Sequence, residues 1–198
     1  MRRLFLFCLV IVSAFALAAC GSSSSGNDES EIEAAIETSA TSSKPADCKK
    51  VNTQNFVEQT TRLKGSEAVK RCEEEASEGS GAKSATVSNV EVDGSKATAD
   101  VALTGGSLGG QEVETALVKD GDQWKLDELT GFAKFDQATV VKTFEEEFSK
   151  SKEASQSLTS CIVDDFSKAP QAKLEAALLS GGTEGFEELA GSCFKEEG

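Results

Sequence analysis

ALVKDGDQWKLDEL, residues 116–129, is the stretch that decides the fold. Its first half is an apolar run, Asp120-Gly121-Asp122 turns the chain, and the second half places Trp124 and Leu126 on one face. That is the pattern of a β-hairpin. Working back from it, QEVETALVK (111–119) sets Val113, Thr115 and Leu117 together, and KATADVALT (96–104) sets Ala97, Ala99, Val101 and Leu103 together. GGSLGG (105–110) between them reads as a loose, flexible hairpin connection. Asp93-Gly94 is a further hairpin signal, and SATVSNVEV (84–92) alternates but slips a phase at Ser88 and Asn89, which predicts a bulge and curvature. Four strands in an antiparallel meander, each with one apolar face, need a cover for that face.

The flanking segments have helical period. Upstream, EIEAAIETSATSS (31–43) carries Ile32, Ala35 and Ile36 at helical spacing and ends before Pro45. Asn52 or Thr53 can cap the next helix, with Phe56, Val57 and Leu63; Gly65 interrupts it, and Ala68, Val69 and Cys72 resume the stripe. Downstream, Val140, Val141, Phe144 and Phe148 form one stripe, and Leu158, Cys161, Ile162 and Phe166 another. Pro170 starts a helix with Leu174, Ala177 and Leu178 that stops at Gly181-Gly182, and Phe186, Leu189 and Cys193 make a last stripe. The expected architecture is α+β: N-terminal helices packed on a curved four-stranded antiparallel sheet over 31–132, then a small helical appendage over 133–198, the boundary falling between Phe132 and Asp136.

The N-terminus has Arg2 and Arg3 followed by an apolar run from Leu4 to Ala19. At about 16 residues the run is shorter than the roughly 20 needed to span a bilayer, and small residues precede its end, as in a cleaved export signal over residues 1–19. Leu17-Ala18-Ala19-Cys20 followed by Gly21 resembles the lipobox of bacterial lipoproteins. That resemblance implies a diacylglycerol on the Cys20 thiol, cleavage before Cys20, and anchoring to the outer face of the cell membrane. Cys8 leaves with the signal, so five of the six cysteines remain, an odd number in an exported chain. With Cys20 lipidated, Cys48, Cys72, Cys161 and Cys193 can form two disulfides. Local pairing, Cys48 with Cys72 and Cys161 with Cys193, is expected because each pair brackets short helices; the two other connectivities stay open. A metal site is not expected, since there is no CxxC spacing and no histidine.

The formal charge is −14; without Arg2 and Arg3, 18 positive charges face 34 negative ones, a net −16. So acidic a chain repels nucleic acid and anionic headgroups, which leaves acyl chains as the means of membrane attachment. Cys20 and the polar run GSSSSGNDES (21–30) together read as a flexible tether.

Helices followed by a curved sheet with the hairpin ALVKDGDQWKLDEL resemble the nuclear transport factor 2-like or cystatin-like roll over residues 31–132. Small actinobacterial lipoproteins often combine such a roll with a cysteine-bearing helical stretch near its start, similar to DCKKVNTQNFVEQTTRLKGSEAVKRC (47–72). The resemblance implies a pocket between helices and sheet, and its family includes isomerases, dehydratases and cyclases that use Asp, His or Tyr. This chain has no His and no Tyr, so neither the usual proton carrier nor the phenol of an oxyanion site is present. Asp100 and Asp127 fall on the outward side of their strands, GGSLGG lacks the Lys-Ser/Thr of a phosphate loop, and the EEE runs at 73–75 and 145–147 lack the ligand alternation of a calcium loop. No catalytic residue and no cofactor is assigned. The expected function is a non-catalytic envelope lipoprotein that binds a small apolar ligand or a protein partner, with Phe56, Trp124 and Phe132 as candidate pocket walls. The alternative is an unusual or degenerate enzyme of the roll family that uses one carboxylate.

Overall fold

A computed structural model of the chain describes residues 25–150, 155–180 and 184–195. The export signal over 1–19, Cys20 and the side chain of Phe186 lie outside the described residues. The order is α1 (Ser25–Thr41), α2 (Asp47–Lys50), α3 (Gln54–Thr61), α4 (Gly65–Glu78), β1 (Ser84–Asp93), β2 (Lys96–Thr104), β3 (Glu112–Asp120), β4 (Gln123–Lys134), α5 (Gln137–Lys150), α6 (Gln156–Lys168), α7 (Gln171–Leu179) and α8 (Glu184–Lys195).

Helix α1 starts at Ser25 and takes in Ser25–Ser30, residues expected in the flexible tether. Local chemistry explains the correction. Asp28 lies in the first turn, where a negative charge suits the exposed N–H groups, and Asn27 Nδ2 donates to Glu31 Oε1 at 2.6 Å. Asp28 is then fixed from outside the helix: its Oδ1 accepts from Lys119 Nζ at 2.6 Å and from Trp124 Nε1 at 3.0 Å. Ile32, Ala35 and Ile36 are buried on the sheet.

The sheet is a meander, β1-β2-β3-β4, antiparallel throughout. Gly94 and Gly121 take φ of +63° and +64° at the first central position of two-residue loops, a conformation that glycine adopts without steric cost. Ala97, Ala99, Val101, Val113, Leu117, Trp124 and Leu126 form the buried face under α1, and each fully buried Val or Leu contributes about 1.5–3 kcal/mol. Thr115 sits in this apolar row because its hydroxyl donates to the Glu128 carbonyl at 3.1 Å. The slip at Ser88 and Asn89 is a bulge: the register shifts between Ser88 and Glu91, with Asn89 at φ +51° and its amide donating to Asp100 Oδ2. β4 carries three further irregularities against β3, so that Thr115 faces Leu129 while Leu117 faces Leu126, and bulges of this kind bend a strand.

The outer edge of β4 is covered. Asn52 pairs with Leu126 in a parallel bridge, Thr53 N–H donating to the Leu126 carbonyl and Leu126 N–H to the Val51 carbonyl, each at 2.8 Å. Asn55 Nδ2 donates to the Asp127 carbonyl, and the Gln59 amide both donates to the Leu129 carbonyl and accepts its N–H. An edge dressed in this way offers little to another chain's strand. Thr53 also caps α3, its hydroxyl accepting from Phe56 N–H at 3.2 Å, an arrangement worth about 1 kcal/mol.

Two disulfides are formed, Cys48–Cys72 joining α2 to α4 and Cys161–Cys193 joining α6 to α8, with Cα separations of 6.1 and 5.7 Å. The C-terminal helices enclose their own apolar cluster of Val140, Val141, Ile162, Phe166, Leu174 and Cys193. Two glutamines hold this cluster to the sheet. Gln111 is 2 % exposed; its Oε1 accepts from Asp136 N–H at 2.7 Å and its Nε2 donates to the Asp136 carbonyl at 3.2 Å. Gln59 Nε2 donates also to the Leu179 carbonyl, at the end of α7.

Candidate functional site

Between the apolar sheet face and helices α1, α3 and α4 lies a cleft of about 240 Å³, walled by Ile36, Phe56, Val101, Leu103, Val113 and Leu126. The β2–β3 connection closes one side of it. GGSLGG, expected to be a flexible loop, is a packed double turn: Leu103 N–H donates to the Gln111 carbonyl, Gly110 N–H to the Leu103 carbonyl and Gly109 N–H to the Gly106 carbonyl. Its glycines are needed for close approach, since a Cβ on Gly109 would lie 2.7 Å from Gly105 N. The turn folds Leu108 onto the cleft, a wall residue that the sequence does not single out.

Of the three aromatic candidates, Phe56 lines the cleft and the other two do not. Trp124, 2 % exposed, lies under the first turns of α1 with its N–H on Asp28, because that helix begins earlier than expected. Phe132 is drawn to the appendage, its ring 4.9 Å from that of Phe135 in an edge-to-face contact.

The polar rim is mostly committed to internal bonds. Ser42 Oγ donates to Asp47 Oδ2 at 2.5 Å, Thr60 Oγ1 to the Phe56 carbonyl, and Arg71 Nε to Glu75 Oε1 at 2.8 Å. Asp100 accepts from Asn89, and Asp127 from Thr53 Oγ1 at 2.8 Å. Ser39 Oγ donates to Asn52 Oδ1 at 2.7 Å, which leaves Asn52 Nδ2 without a partner among the described residues. Asn52 is a second cleft residue that the sequence marks only as a helix cap.

A second, open hollow beside α2 is lined by Lys49, Lys119 and Lys125. Each lysine is paired, with Glu73, Asp28 and Asp120 respectively, so the hollow is not a cationic trap. Hydrogen bonds from Lys119 and then Trp124 hold the Asp28 carboxyl below its usual range, and Asp28 in turn raises Lys119. The ligand atoms of Cys161, Cys193 and Asp165 lie within 4.8 Å of one another, but the two sulfurs are joined to each other and offer no thiolate. No helix among the described residues is long and apolar enough to cross a membrane.

Compared with known protein families, with curated proteins and with solved structures, the chain matches none.

Proposed function

We propose that this chain is an exported lipoprotein, held on the outer face of the cell membrane by lipid on Cys20, and that its sheet module, a roll of the nuclear transport factor 2-like kind, binds a small apolar ligand. The observation that carries the binding role is the cleft, with an apolar wall contributed by five elements. Open apolar clefts with few polar groups are the usual form of small-molecule sites. The two carboxylates at its edge, Asp47 and Glu75, are engaged by Ser42 and Arg71, which favours binding over catalysis by a lone carboxylate. The anchoring role rests on the lipobox-like Leu17–Cys20 and on the two disulfides that leave Cys20 as the odd cysteine of the exported chain.

Two measurements test these roles. Cys20→Ser should move the protein from the membrane fraction to the soluble one, and continued sedimentation with membranes would refute the anchor. Native mass spectrometry of protein from its own host should show a small non-covalent adduct that disappears on Ala76→Phe, a substitution that fills the cleft from α4. An adduct that survives Ala76→Phe would place binding elsewhere.

A further inference from the structure

We infer that the ligand of this cleft is a neutral, largely apolar molecule bearing a carbonyl oxygen, and that Asn52 Nδ2 donates a hydrogen bond to that oxygen. The inference rests on the apolar-ligand reading and names the ligand's chemistry. Asn52 is 7 % exposed, its Oδ1 is taken by Ser39 Oγ, and its Nδ2 is unpartnered among the described residues. Direction follows from the backbone. Asn52 pairs with Leu126 across a parallel bridge, so the two side chains leave the same face of the sheet, and both line the cleft, Asn52 also bordering the hollow beside α2. No buried side-chain nitrogen or oxygen among the described residues lacks a partner, so Nδ2 reaches solvent in the empty cleft, and a carbonyl acceptor replaces the water there when an apolar ligand displaces it.

The surroundings narrow the class further. Asp47 and Glu75 outnumber Lys44 at the rim, and with a net charge of −14 on the chain this disfavours a carboxylate ligand and suits a ketone, ester or amide. Thr60 and Thr115 spend their hydroxyl protons on main-chain carbonyls, and the unspent donors of Thr38, Lys44, Ser80 and Ser107 sit on more exposed residues, so Asn52 is the buried lining residue with a donor to offer. The cleft, at about 240 Å³, exceeds the ~150 Å³ void that admits benzene, and fits a body of roughly ten non-hydrogen atoms.

Acetophenone and α-methylstyrene have the same shape and differ by an oxygen in place of a methylene group, so the pair isolates the proposed bond. Each is titrated into exported Cys20→Ser protein purified without detergent, with the side-chain amide resonances of Asn52 followed by NMR. The expected result is acetophenone binding about tenfold more tightly than the hydrocarbon, a shift of the Asn52 NH₂ pair with acetophenone, and loss of the preference in Asn52→Asp. That variant keeps the acceptor for Ser39 and replaces the donor by an oxygen. Equal binding of the two compounds by the unsubstituted protein would show that water serves the amide and would overturn the inference while leaving the apolar cleft intact. Binding of neither compound would remove the apolar-ligand reading and this inference with it. The comparison on unsubstituted protein stands even if Asn52→Asp fails to fold.

Discussion

Glu58 closes the turn between α3 and α4 with a single carboxylate. It accepts from Gly65 N–H at 2.9 Å and from Gln54 Nε2 at 3.0 Å, and it pairs with Lys64 at 3.1 Å. These partners, the Gly65 N–H foremost, lower its pKa from 4.5 to about 2. A carboxyl whose folded value lies below its unfolded one stabilises the fold fully above the unfolded value and loses that contribution as pH falls through the folded one. Glu58→Gln should therefore melt below the parent at pH 7, with the gap closing between pH 4.5 and about 2; thermal unfolding across that range would show it. Gln111 works differently, since its buried amide gives the Asp136 backbone both a donor and an acceptor. Gln111→Leu removes both hydrogen bonds, each worth about 0.5–1.5 kcal/mol net, and should cost about 1–3 kcal/mol in urea unfolding. Neither role is legible in the sequence, because a glutamine that clamps a backbone and one that faces water look alike until the partner segment is placed.

At the scale of elements, the strands were readable because a period of two survives wherever the ladder is regular. β2 shows this, with Ala97, Ala99 and Val101 all buried as the alternation predicts. β4 shows where the rule stops. Its inward residues are Trp124, Leu126, Leu129 and Phe132, spaced two, then three, then three, and the steps of three coincide with register shifts against β3. That spacing was in the sequence, but three-residue steps at the end of a strand are as easily taken for a loop. GGSLGG departs from the expected flexible loop for a related reason: glycine marks both floppy chain and chain packed too closely for a Cβ. The two cases can be separated by substitution. Gly109→Ala meets the Gly105 backbone at 2.7–2.9 Å and should destabilise the fold by about 1–3 kcal/mol, weakening ligand binding with it. Gly131→Ala meets only the movable end of Glu114 and should stay within about 0.5 kcal/mol in the same denaturation assay.

Among the described residues there are two apolar clusters, one beneath α1 and one inside the C-terminal helices, and the two disulfides form by the expected local pairing. Helical stripes and cysteine positions carried that much; the docking of the clusters, through Gln59 and Gln111, depends on main-chain groups that no side-chain pattern reports. The single tryptophan, with no tyrosine present, makes fluorescence a reporter of the sheet module alone. Replacing Cys161 and Cys193 by serine removes about 3–4 kcal/mol of loop-closure stabilisation from the C-terminal helices. Far-UV circular dichroism should then lose helix at a lower temperature than Trp124 emission changes; coincident transitions would mean one cooperative unit. The early start of α1 bears on access. From Cys20 to Ser25 an extended chain reaches at most ~17 Å, so under the proposed lipid anchor at Cys20 the Asp28 end of α1 would stay near the headgroups. Ser39, whose hydroxyl bonds Asn52, lies about eleven residues farther along α1, roughly 16 Å away. Under the proposed anchoring, that spacing sets the cleft back from the moored end of α1, and cargo would be exchanged with the surrounding envelope and not with the membrane interior.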